Sequence, residues 1–261
     1  MALLESSFEH GVMTVTLNDV ERRNALSRAL IEELIDLIDL IDARGDVRVA
    51  VLTNRGSVFC AGANLSEFST KGSATNNRTI ELSQLLMRFR ESPKPWVGRI
   101  DGHCMGGGVG LAAVMDISIA STASKFAFSE VRLGVAPAVI SVVVLPKLRV
   151  ADAQMRMLRG DRFSAAQAAD MGLINLALEA SDLDAVLQEI VHDLISGAPE
   201  ALAVTKQLMM RVPAMGTDDA FAWTAEISAE RFASDEAREG MAAFFEKRPA
   251  RWVGRTPQAG D

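Results

Sequence analysis

The sequence has few cysteines and no long apolar run. Its two cysteines, Cys60 and Cys104, are far too few for the disulfide framework of a secreted domain, so we expect a reduced, cytoplasmic protein. The N-terminal segment MALLESSFEH carries acidic residues early and has no apolar stretch, which argues against a signal peptide. Because no run of about 18 apolar residues occurs, no membrane span is expected.

Excess positive charge is also absent. The chain has 27 Lys and Arg against 34 Asp and Glu, and its net charge is −7. This balance argues against nucleic acid or an anionic membrane as the main partner. The length of 261 residues and the hydrophobic fraction of 49% are ordinary for a globular enzyme with a sizeable core. An anionic ligand would therefore need a local basic patch.

The first predicted elements indicate an α/β fold. Residues 12–17 and 48–53 are rich in β-branched side chains and predict strands. Between them, Ser27 is placed to cap a helix. The apolar residues of this helix recur at the spacing of one buried face: Leu30, Ile31, Leu34, Ile35, Ile38 and Ile41. The β-α-β order predicts parallel pairing with a right-handed crossover.

The rest of the chain continues this alternation and then becomes helical. The sequence predicts a loop with a short helical turn over 55–73, and strands over 96–101, 117–120 and 125–128. It predicts helices over 76–91, 107–115, 150–158, 164–171, 182–196, 200–211, 217–233 and 235–247. We therefore predict a core of strand-and-helix units over 1–195 and a helical segment over 196–261. That segment is expected to pack on the core or on a neighbouring subunit.

Residues 50–68, AVLTNRGSVFCAGANLSEF, form the first segment with chemical potential. A buried strand runs into a loop where Gly56 and Gly62 permit unusual backbone angles. The loop has no nucleophile with a base beside it, so its useful group is the backbone N–H of Ala63. The alternative is an ordinary loop with glycines for turning.

Residues 99–116, RIDGHCMGGGVGLAAVMD, form the second. Three consecutive glycines precede a helix of small residues, and N–H groups at a helix N-terminus lack intrahelical partners. They can bind a phosphate or an oxyanion that develops on a carbonyl. GGGVG has neither the spacing of the dinucleotide fingerprint nor the Lys-Ser/Thr of a P-loop. The alternative is a turn with close helix packing.

Residues 125–141, KFAFSEVRLGVAPAVIS, form the third. Phe126 and Phe128 alternate as in a half-buried strand, and Glu130 follows at its end. A carboxyl group beside apolar walls has a raised pKa, which suits proton transfer to and from carbon. Arg132 would oppose that shift. The alternative is a solvated glutamate at a strand end.

Together these segments resemble one family. RRNAL (22–26), VFCAGANLSEF (58–68), GGGVGL (106–111), FSEVRLGVAPA (128–138) and AFFEKRPARW (243–252) are similar, in order and spacing, to the crotonase superfamily, that is, the enoyl-CoA hydratase/isomerase family. The resemblance implies an α/β fold of the ClpP/crotonase type, a spiral of repeated ββα units. It also implies a helical C-terminal region that assembles a homotrimer, or a homohexamer built as a dimer of trimers.

The resemblance also implies the site. The backbone N–H groups of Ala63 and Gly107 would form an oxyanion hole for the thioester of an acyl-CoA, with Glu130 as general acid and base. No metal or redox cofactor is implied, since coenzyme A is part of the substrate. Family hydratases carry a further glutamate three residues past Gly107, where this sequence has Gly110. A glycine cannot activate water through a side chain.

For coenzyme A itself, the resemblance implies contacts from the loop residues Ala61, Asn64 and Leu65 and from Arg23. Phe244 and Lys247 match positions that reach the coenzyme from a neighbouring subunit in relatives. Each cation could equally be an ordinary surface charge.

The sequence therefore predicts a lyase that hydrates a 2-enoyl-CoA, similar to bacterial enoyl-CoA or methylglutaconyl-CoA hydratases that lack the first glutamate. His103 and Glu67 are the candidates for a replacement base, but a lone histidine is more often structural and Glu67 is expected at the surface. Three alternatives stay open at this point: a Δ3,Δ2-enoyl-CoA isomerase using Glu130 alone, a CoA-thioester hydrolase, and a non-catalytic acyl-CoA-binding subunit.

Overall fold

The computed structural model describes residues 2–64 and 74–253, and for 74–80 the backbone alone. The fold is α/β, as predicted, and contains two sheets. The large sheet has the order β1-β2-β3-β5-β7-β10 and is parallel except for the β1–β2 pair. Its strands are β1 (Leu4–Glu9), β2 (Val12–Leu17), β3 (Val49–Asn54), β5 (Trp96–Ile100), β7 (Ile117–Ser121) and β10 (Leu176–Leu178).

The small sheet has four short strands in the order β4-β6-β8-β9. They are β4 (Val58–Cys60), β6 (His103–Met105), β8 (Lys125–Ala127) and β9 (Phe163–Ser164). The first three are parallel, and β9 is antiparallel to β8. The prediction of a loop throughout 55–73 is therefore wrong over β4, because a strand of three residues is too short to show an apolar period.

Ten α-helices lie within the described residues. They are α1 (Arg28–Ala43), α2 (Ala74–Glu91), α3 (Gly107–Val114), α4 (Ala138–Val144), α5 (Val150–Arg159), α6 (Ala165–Asp170), α7 (Leu183–Ser196), α8 (Pro199–Arg211), α9 (Thr217–Ala233) and α10 (Asp235–Glu246). The longer helices that the sequence predicts are all present, and the structure adds α4; residues 65–73 of the segment predicted to contain a short helical turn lie outside the described residues. Within the described ranges, no helix is long and apolar enough to cross a membrane.

The chain repeats a ββα unit three times. In each unit one strand joins the large sheet, the next joins the small sheet, and a helix follows: β3-β4-α2, β5-β6-α3 and β7-β8-α4. Successive units add parallel neighbours to both sheets, so the chain winds as a spiral. The spiral of ββα units implied by the family resemblance is confirmed.

Helix α1 shows how the sequence determines these elements. The Ser27 side chain accepts a hydrogen bond from the Leu30 N–H at 3.2 Å, which satisfies one free donor of the first turn and contributes about 1 kcal/mol. The predicted stripe is buried except for Ile35, which is partly buried, and Leu34, Ile38 and Ile41 are fully inaccessible. The flanking strands β2 and β3 pair in parallel, as predicted.

Helix α3 lies at the centre of the molecule, and all eight of its residues are buried. It packs against α2 and α4 and against strands of the small sheet. Only small residues let neighbouring backbone approach this closely, since a side chain at Gly108 would overlap the Cys60 carbonyl. This close packing fixes the position of the N-terminus of α3.

The segment after residue 196 is tied to the core by partly buried polar contacts. Lys206 of α8 donates to the Asp116 carboxylate and to the Lys94 carbonyl, both at 2.7 Å. Arg48, at the start of β3, donates to the carbonyls of Trp252 and Gly197, both at 2.7 Å. The predicted division at residue 195 falls at the end of α7, and it stays a prediction.

Candidate active site

Three loops meet beyond the carboxyl ends of β4, β6 and β8. Strand β4 leads into residues 61–64, β6 into Gly106 and Gly107, and β8 into a 3-10 helix, Ser129–Leu133. Because β6 lies between β4 and β8, its loop lies between the other two. Ligands commonly bind in such crevices at the carboxyl ends of parallel strands. The three segments that the sequence analysis selected are therefore neighbours in space.

The backbone N–H of Ala63 points away from Leu26, the residue with which Ala63 pairs. Ala63 forms an isolated parallel bridge with Leu26. The Leu26 N–H donates to the Gly62 carbonyl at 2.8 Å, and the Asn64 N–H donates to the Leu26 carbonyl at 3.4 Å. Because successive peptide groups point in opposite directions, the N–H of Ala63 itself faces the other side. It has no acceptor among the described residues.

The backbone N–H of Gly107 lies at the N-terminus of α3. As the first residue of the helix, Gly107 has an N–H without an intrahelical acceptor, at the positive end of the helix dipole. The preceding residue, Gly106, has φ 51 and ψ −118, a conformation that side chains strongly disfavour. This conformation turns the chain from β6 directly into the helix.

These two N–H groups, named here the two-amide site, are brought together by glycine contacts. A Cβ at Gly62 would lie 2.6 Å from the Met105 carbonyl oxygen and 3.1 Å from the Gly107 nitrogen. A Cβ at Gly107 would lie 3.8 Å from the Ala63 nitrogen. The two loops therefore pack backbone against backbone. The absence of side chains at both glycines allows this close approach, since a Cβ at Gly107 would also lie 2.9 Å from Leu26 Cδ1.

Glu130 lies beside the two-amide site. A Cβ at Gly106 would lie 3.2 Å from Glu130 Oε1, so the carboxylate packs against the residue before Gly107. Glu130 Oε2 is buried and has no hydrogen-bond partner among the described residues. Burial raises the pKa of the Glu130 carboxyl, as predicted. The predicted opposition from Arg132 is wrong, because its guanidinium donates to the Arg159 carbonyl instead.

The next turn of α3 presents an apolar surface. At Gly110, a Cβ would overlap Ile140 Cγ2, lie 3.1 Å from Ile140 Cβ and lie 3.8 Å from Leu86 Cδ1. Ile140 and Leu86 are 2% and 3% exposed. Side chains from α4 and α2 therefore fill the space where the resemblance placed a second glutamate.

Other reactive side chains are held in structural roles. His103 Nδ1 accepts the Lys125 N–H at 3.2 Å, and burial lowers the pKa of the imidazole. Burial raises the pKa of the Cys60 thiol to about 12 and raises that of Cys104, so neither is a thiolate nucleophile at neutral pH. Within 2–64 and 74–253, the His, Cys, Asp and Glu side chains form no group of three that could hold a metal ion.

Three of the residues predicted to bind coenzyme A lie on or against the loop that carries Ala63. The Ala61 N–H donates to the Arg23 carbonyl at 3.1 Å, and Asn64 follows the two-amide loop. Arg23 is exposed and ends a short 3-10 helix with φ 57. Leu65 and Glu67 lie outside the described residues.

Sequence reasoning missed Asn24, which holds this region in place. Its fully buried side chain donates to the carbonyls of Arg55 and Val58, at 3.2 and 2.8 Å. This contact fixes the RRNAL segment to β4 and thereby positions Leu26 against Ala63. Asn24 has φ 51, a left-handed conformation that asparagine tolerates better than most residues. The asparagine in the RRNAL segment was therefore the residue from which this role could have been predicted.

The single chain does not bring Phe244 and Lys247 to the site. Phe244 is 79% exposed and contacts the ring of Phe245, and Lys247 ends α10 in a left-handed conformation. The segment is anchored through Trp252 to Arg48, at the amino end of β3, whereas the site lies at carboxyl ends of strands. The contribution of these two residues to a neighbouring subunit stays a prediction.

Comparison with known proteins agrees with this architecture. A family model described as enoyl-CoA hydratase/isomerase matches residues 7–255. The enoyl-CoA hydratase ACTT6 of Alternaria alternata is 33% identical over 90% of this chain and 78% of its own length. The short-chain-enoyl-CoA hydratase of Clostridium acetobutylicum is 30% identical over 92% and 93%.

A crystal structure of an enoyl-CoA hydratase/isomerase from Marinobacter aquaeolei has a TM-score of 0.91 to this fold at 29% identity. It covers 97% of this chain and 99% of that chain. With its ββα spiral, and with a family match over almost its whole length, the chain belongs to the enoyl-CoA hydratase/isomerase family and has the crotonase fold.

Proposed function

We propose that the protein hydrates a 2-enoyl-CoA thioester to the 3-hydroxyacyl-CoA. The observation that carries the proposal is the Glu130 carboxylate beside two unpaired backbone amides on a crotonase fold. Membership of the enoyl-CoA hydratase/isomerase family and relatives named as enoyl-CoA hydratases support the same reaction.

The two-amide site would bind the thioester oxygen. Hydration places a hydroxyl group on Cβ and passes through an enolate, whose negative charge gathers on that oxygen. Ala63 and Gly107 would donate to it with N–H groups that are already in position, so little reorganisation is needed. Each such donor contributes about 3 kcal/mol to lowering the barrier. The dipole of α3 adds to the stabilisation at Gly107.

Glu130 would move both protons. Its carboxylate takes a proton from water as the water oxygen bonds to Cβ, and the resulting carboxylic acid returns a proton to Cα when the enolate collapses. Water is thereby added across the double bond, and Glu130 ends in its starting state. The buried, unpaired Oε2 is available to hold the water. A pKa raised by burial makes the carboxylate a stronger base than an exposed glutamate.

The proposal includes no metal or redox cofactor. Adding water transfers no electrons overall, and the two backbone amides would stabilise the charge of the enolate. Coenzyme A enters as part of the substrate. We place its contacts at Ala61, Asn64 and Arg23, around the loop beside the two-amide site, and we extend the proposal to Leu65 from the resemblance alone.

The proposal includes a homotrimer, or a dimer of trimers, acting in the cytoplasm. Four phenylalanines of the C-terminal helices are 71–79% exposed: Phe221, Phe232, Phe244 and Phe245. Exposed aromatic residues in such number are typical of a surface covered in an assembly. In that assembly Phe244 and Lys247 would reach the coenzyme of the neighbouring subunit. Light scattering coupled to gel filtration measures the subunit number.

The test is crotonyl-CoA in ¹⁸O-labelled water, with the product mass measured. We expect labelled 3-hydroxybutanoyl-CoA from the wild type. Glu130→Gln should lower kcat/KM by about 10²–10⁴, the usual contribution of a general acid–base group, and leave acyl-CoA binding intact.

The matched control is Glu179→Gln. Glu179 directly follows β10 in the large sheet and accepts from Thr122 outside the site, so its activity should stay at the wild-type level. An unlabelled conversion of a 3-enoyl-CoA, without hydration of crotonyl-CoA, would identify an isomerase and contradict the proposal. Unchanged turnover in Glu130→Gln would remove Glu130 from the mechanism.

A further inference from the structure

The C-terminal end of α5 packs against the 3-10 helix that carries Glu130. Helix α5 ends at Arg159, and Gly160 follows it in a left-handed conformation, with φ 59 and ψ 20. A Cβ at Gly160 would lie 2.8 Å from Val131 Cγ2 and 3.1 Å from the Phe128 carbonyl oxygen. Gly160 is buried, so these contacts belong to the packed interior. The end of α5 therefore contacts the chain on both sides of Glu130.

The Arg132 side chain strengthens this contact. Its Nε donates to the Arg159 carbonyl at 3.3 Å. The last carbonyls of a helix have no intrahelical donor, so this bond also satisfies an acceptor at the end of α5. Arg132 Cγ would lie 3.2 Å from a Cβ at Gly160, which places the stem of the arginine over the glycine. The 3-10 helix is thus held to α5 through main-chain packing and through one side chain.

The residues after Gly160 hold the strand that leads into the 3-10 helix. Phe163 of β9 pairs with Phe126 of β8. The centroid of the Phe163 ring lies 5.8 Å from that of Phe128, and both residues are buried. Ring contacts at this separation add to the stabilisation from buried area. The turn at Gly160 is therefore fixed relative to β8 as well as to the 3-10 helix.

The charged side chains at the end of α5 pair with one another. Asp161 accepts from Arg159 at 2.8 Å and lies 4.0 Å from Arg156. None of these groups, nor Arg132, forms an ion pair with Glu130 among the described residues. Burial is therefore the cause of the raised pKa of Glu130.

The Glu130 carboxylate depends on its backbone for its position. Its Oε2 has no hydrogen-bond partner among the described residues, and its Oε1 packs against the glycine before Gly107. A carboxylate without polar anchors lies where the 3-10 helix places it. Displacing a reacting group by about 1 Å can lower a rate by about 10²-fold.

We propose that Gly160 positions Glu130 for proton transfer, because only a residue without a side chain lets the end of α5 pack against the 3-10 helix. Arg132 is a second positioning residue, since its bond to the Arg159 carbonyl holds the same two elements together. Both residues act through Glu130. The inference rests on the proposed function for the role of Glu130 as acid and base.

Gly160→Ala is the direct test. The new Cβ would displace Val131 and the Phe128 carbonyl, and Glu130 would move with them. We expect kcat for crotonyl-CoA to fall by about 10²-fold. KM should stay near the wild-type value, because the residues assigned to coenzyme A lie on other loops. The displacement also admits water to Glu130, so its pKa should fall toward 4.5 and the acid limb of kcat/KM should move to lower pH.

Gly172→Ala is the matched control. Gly172 has φ +86, and a Cβ there would lie 2.7 Å from the Lys147 carbonyl oxygen, so the change brings comparable strain. Gly172 lies between α6 and β10 of the large sheet, whereas Glu130 follows β8 of the small sheet. Both variants should lose stability. Per folded subunit, measured by circular dichroism, the control should keep the wild-type kcat and pH profile.

Two variants of Arg132 provide a test at the surface, where folding is not at risk. Arg132→Met keeps the stem over Gly160 and removes the donor, so kcat should fall about fivefold, as expected for one lost hydrogen bond. Arg132→Lys can donate to the same carbonyl and should restore most of that loss. A kcat that is unchanged in Arg132→Met, or that Arg132→Lys does not restore, overturns the role of Arg132.

Crystal structures of the two glycine variants measure the position of Glu130 without turnover. A carboxylate displaced from Gly106 in Gly160→Ala alone, together with the loss of kcat, supports the inference. If neither the wild type nor the variants hydrate crotonyl-CoA, that displacement still supports the positioning, and the proposed reaction alone fails. A carboxylate in its wild-type place, or a kcat equal to that of an active control, overturns the inference. If Gly160→Ala does not fold, the Arg132 variants decide.

Discussion

Two consecutive turns of α3 use glycine for opposite purposes. In the first turn, Gly106 and Gly107 leave backbone amides and a carboxylate within reach of a ligand. In the second turn, Gly110 admits the side chain of Ile140 from another helix, and the atoms nearest to a Cβ at that position are aliphatic carbons of Ile140 and Leu86. The first turn is a polar site made of backbone, and the second is an apolar wall made of side chains.

This difference shows which changes each turn tolerates. The geometry at the first turn depends on contacts between main-chain atoms, such as the approach of Gly62 to the Met105 carbonyl. Main-chain atoms cannot move aside as a side chain can. The second turn depends on the fit between two side-chain volumes, which can adjust together. Substitutions near the first turn should affect catalysis, and substitutions at the second should affect stability.

Of the changes that compare the two turns, Gly62→Ala is expected to have the largest effect. The new Cβ would collide with the Met105 carbonyl oxygen, so the Ala63 amide would move away from Gly107. Loss of one such donor lowers kcat/KM by about 10²–10³. Steady-state kinetics with the preferred enoyl-CoA measures the loss.

The control is Gly11→Ala in the turn between β1 and β2. Gly11 has φ +83 against +86 for Gly62, but its Cβ would lie 3.2 Å from the Arg48 side chain and in ordinary contact, at 3.6 Å, with the Asp46 carbonyl oxygen. It carries the same left-handed strain and should keep kcat/KM. Equal kinetics for the two variants would contradict the role of the Gly62 contact.

The second effect concerns stability. Gly110→Ala should lower the free energy of unfolding by about 1–3 kcal/mol, the usual cost of overpacking, because its Cβ overlaps Ile140. Ile140→Ala should cost about 2–5 kcal/mol through the cavity that it leaves. The double variant should cost less than the sum of the two, since each change relieves the other.

Urea unfolding at one fixed protein concentration measures all four proteins of this cycle. Strict additivity of the two changes would show that Ile140 and Gly110 are not in contact, and it would remove the distinction between the two turns.

The smallest effect is the pH dependence that Glu130 confers. Its pKa is raised above the ordinary value of 4.5, and the carboxylate form is the base. We therefore expect kcat/KM to fall tenfold per pH unit on the acid side, beginning above the usual glutamate range. A pH profile without that acid limb would contradict the assignment of the base.

The contribution of Glu130 to the free energy of unfolding should change with pH in the direction opposite to kcat/KM. A buried carboxyl with a raised pKa favours folding when protonated, so its contribution is present below pH 4.5 and is lost as pH rises through the folded pKa. The free energy of unfolding of the wild type should therefore decrease relative to Glu130→Gln over that range. A constant difference would contradict the burial of this group.

Long, periodic elements could be predicted from the sequence. The buried stripe of α1, the strands β2 and β3 and the helices from α5 onward follow from residue spacing and caps within one segment. The short strands β4, β6, β9 and β10 have two or three residues each, so only tertiary pairing defines them. Helix α4, AVISVVV, is rich in β-branched residues that favour strands, and its packing on α2 and α3 decides its conformation.

The site was predictable where a motif carried it. Ala63, Gly107 and Glu130 were selected from three glycine-bearing or strand-end segments, and the fold places all three at one edge of the small sheet. Ile140 was not predictable, because it is 30 positions away from Gly110 in the chain and nothing in GGGVG indicates what fills the space. Asn24 acts through the carbonyls of Arg55 and Val58, and Val58 lies in a strand, β4, that was not predicted from the sequence.

The most direct test of the account is the infrared carbonyl stretch of crotonyl-CoA bound to Glu130→Gln, with ¹³C at the thioester carbon to identify the band. This variant should bind substrate without turning it over. If the amides of Ala63 and Gly107 donate to the thioester oxygen, the band shifts to lower frequency than in free crotonyl-CoA. The shift should be lost when Gly62→Ala is added. A bound band at the frequency of the free thioester would contradict the central claim.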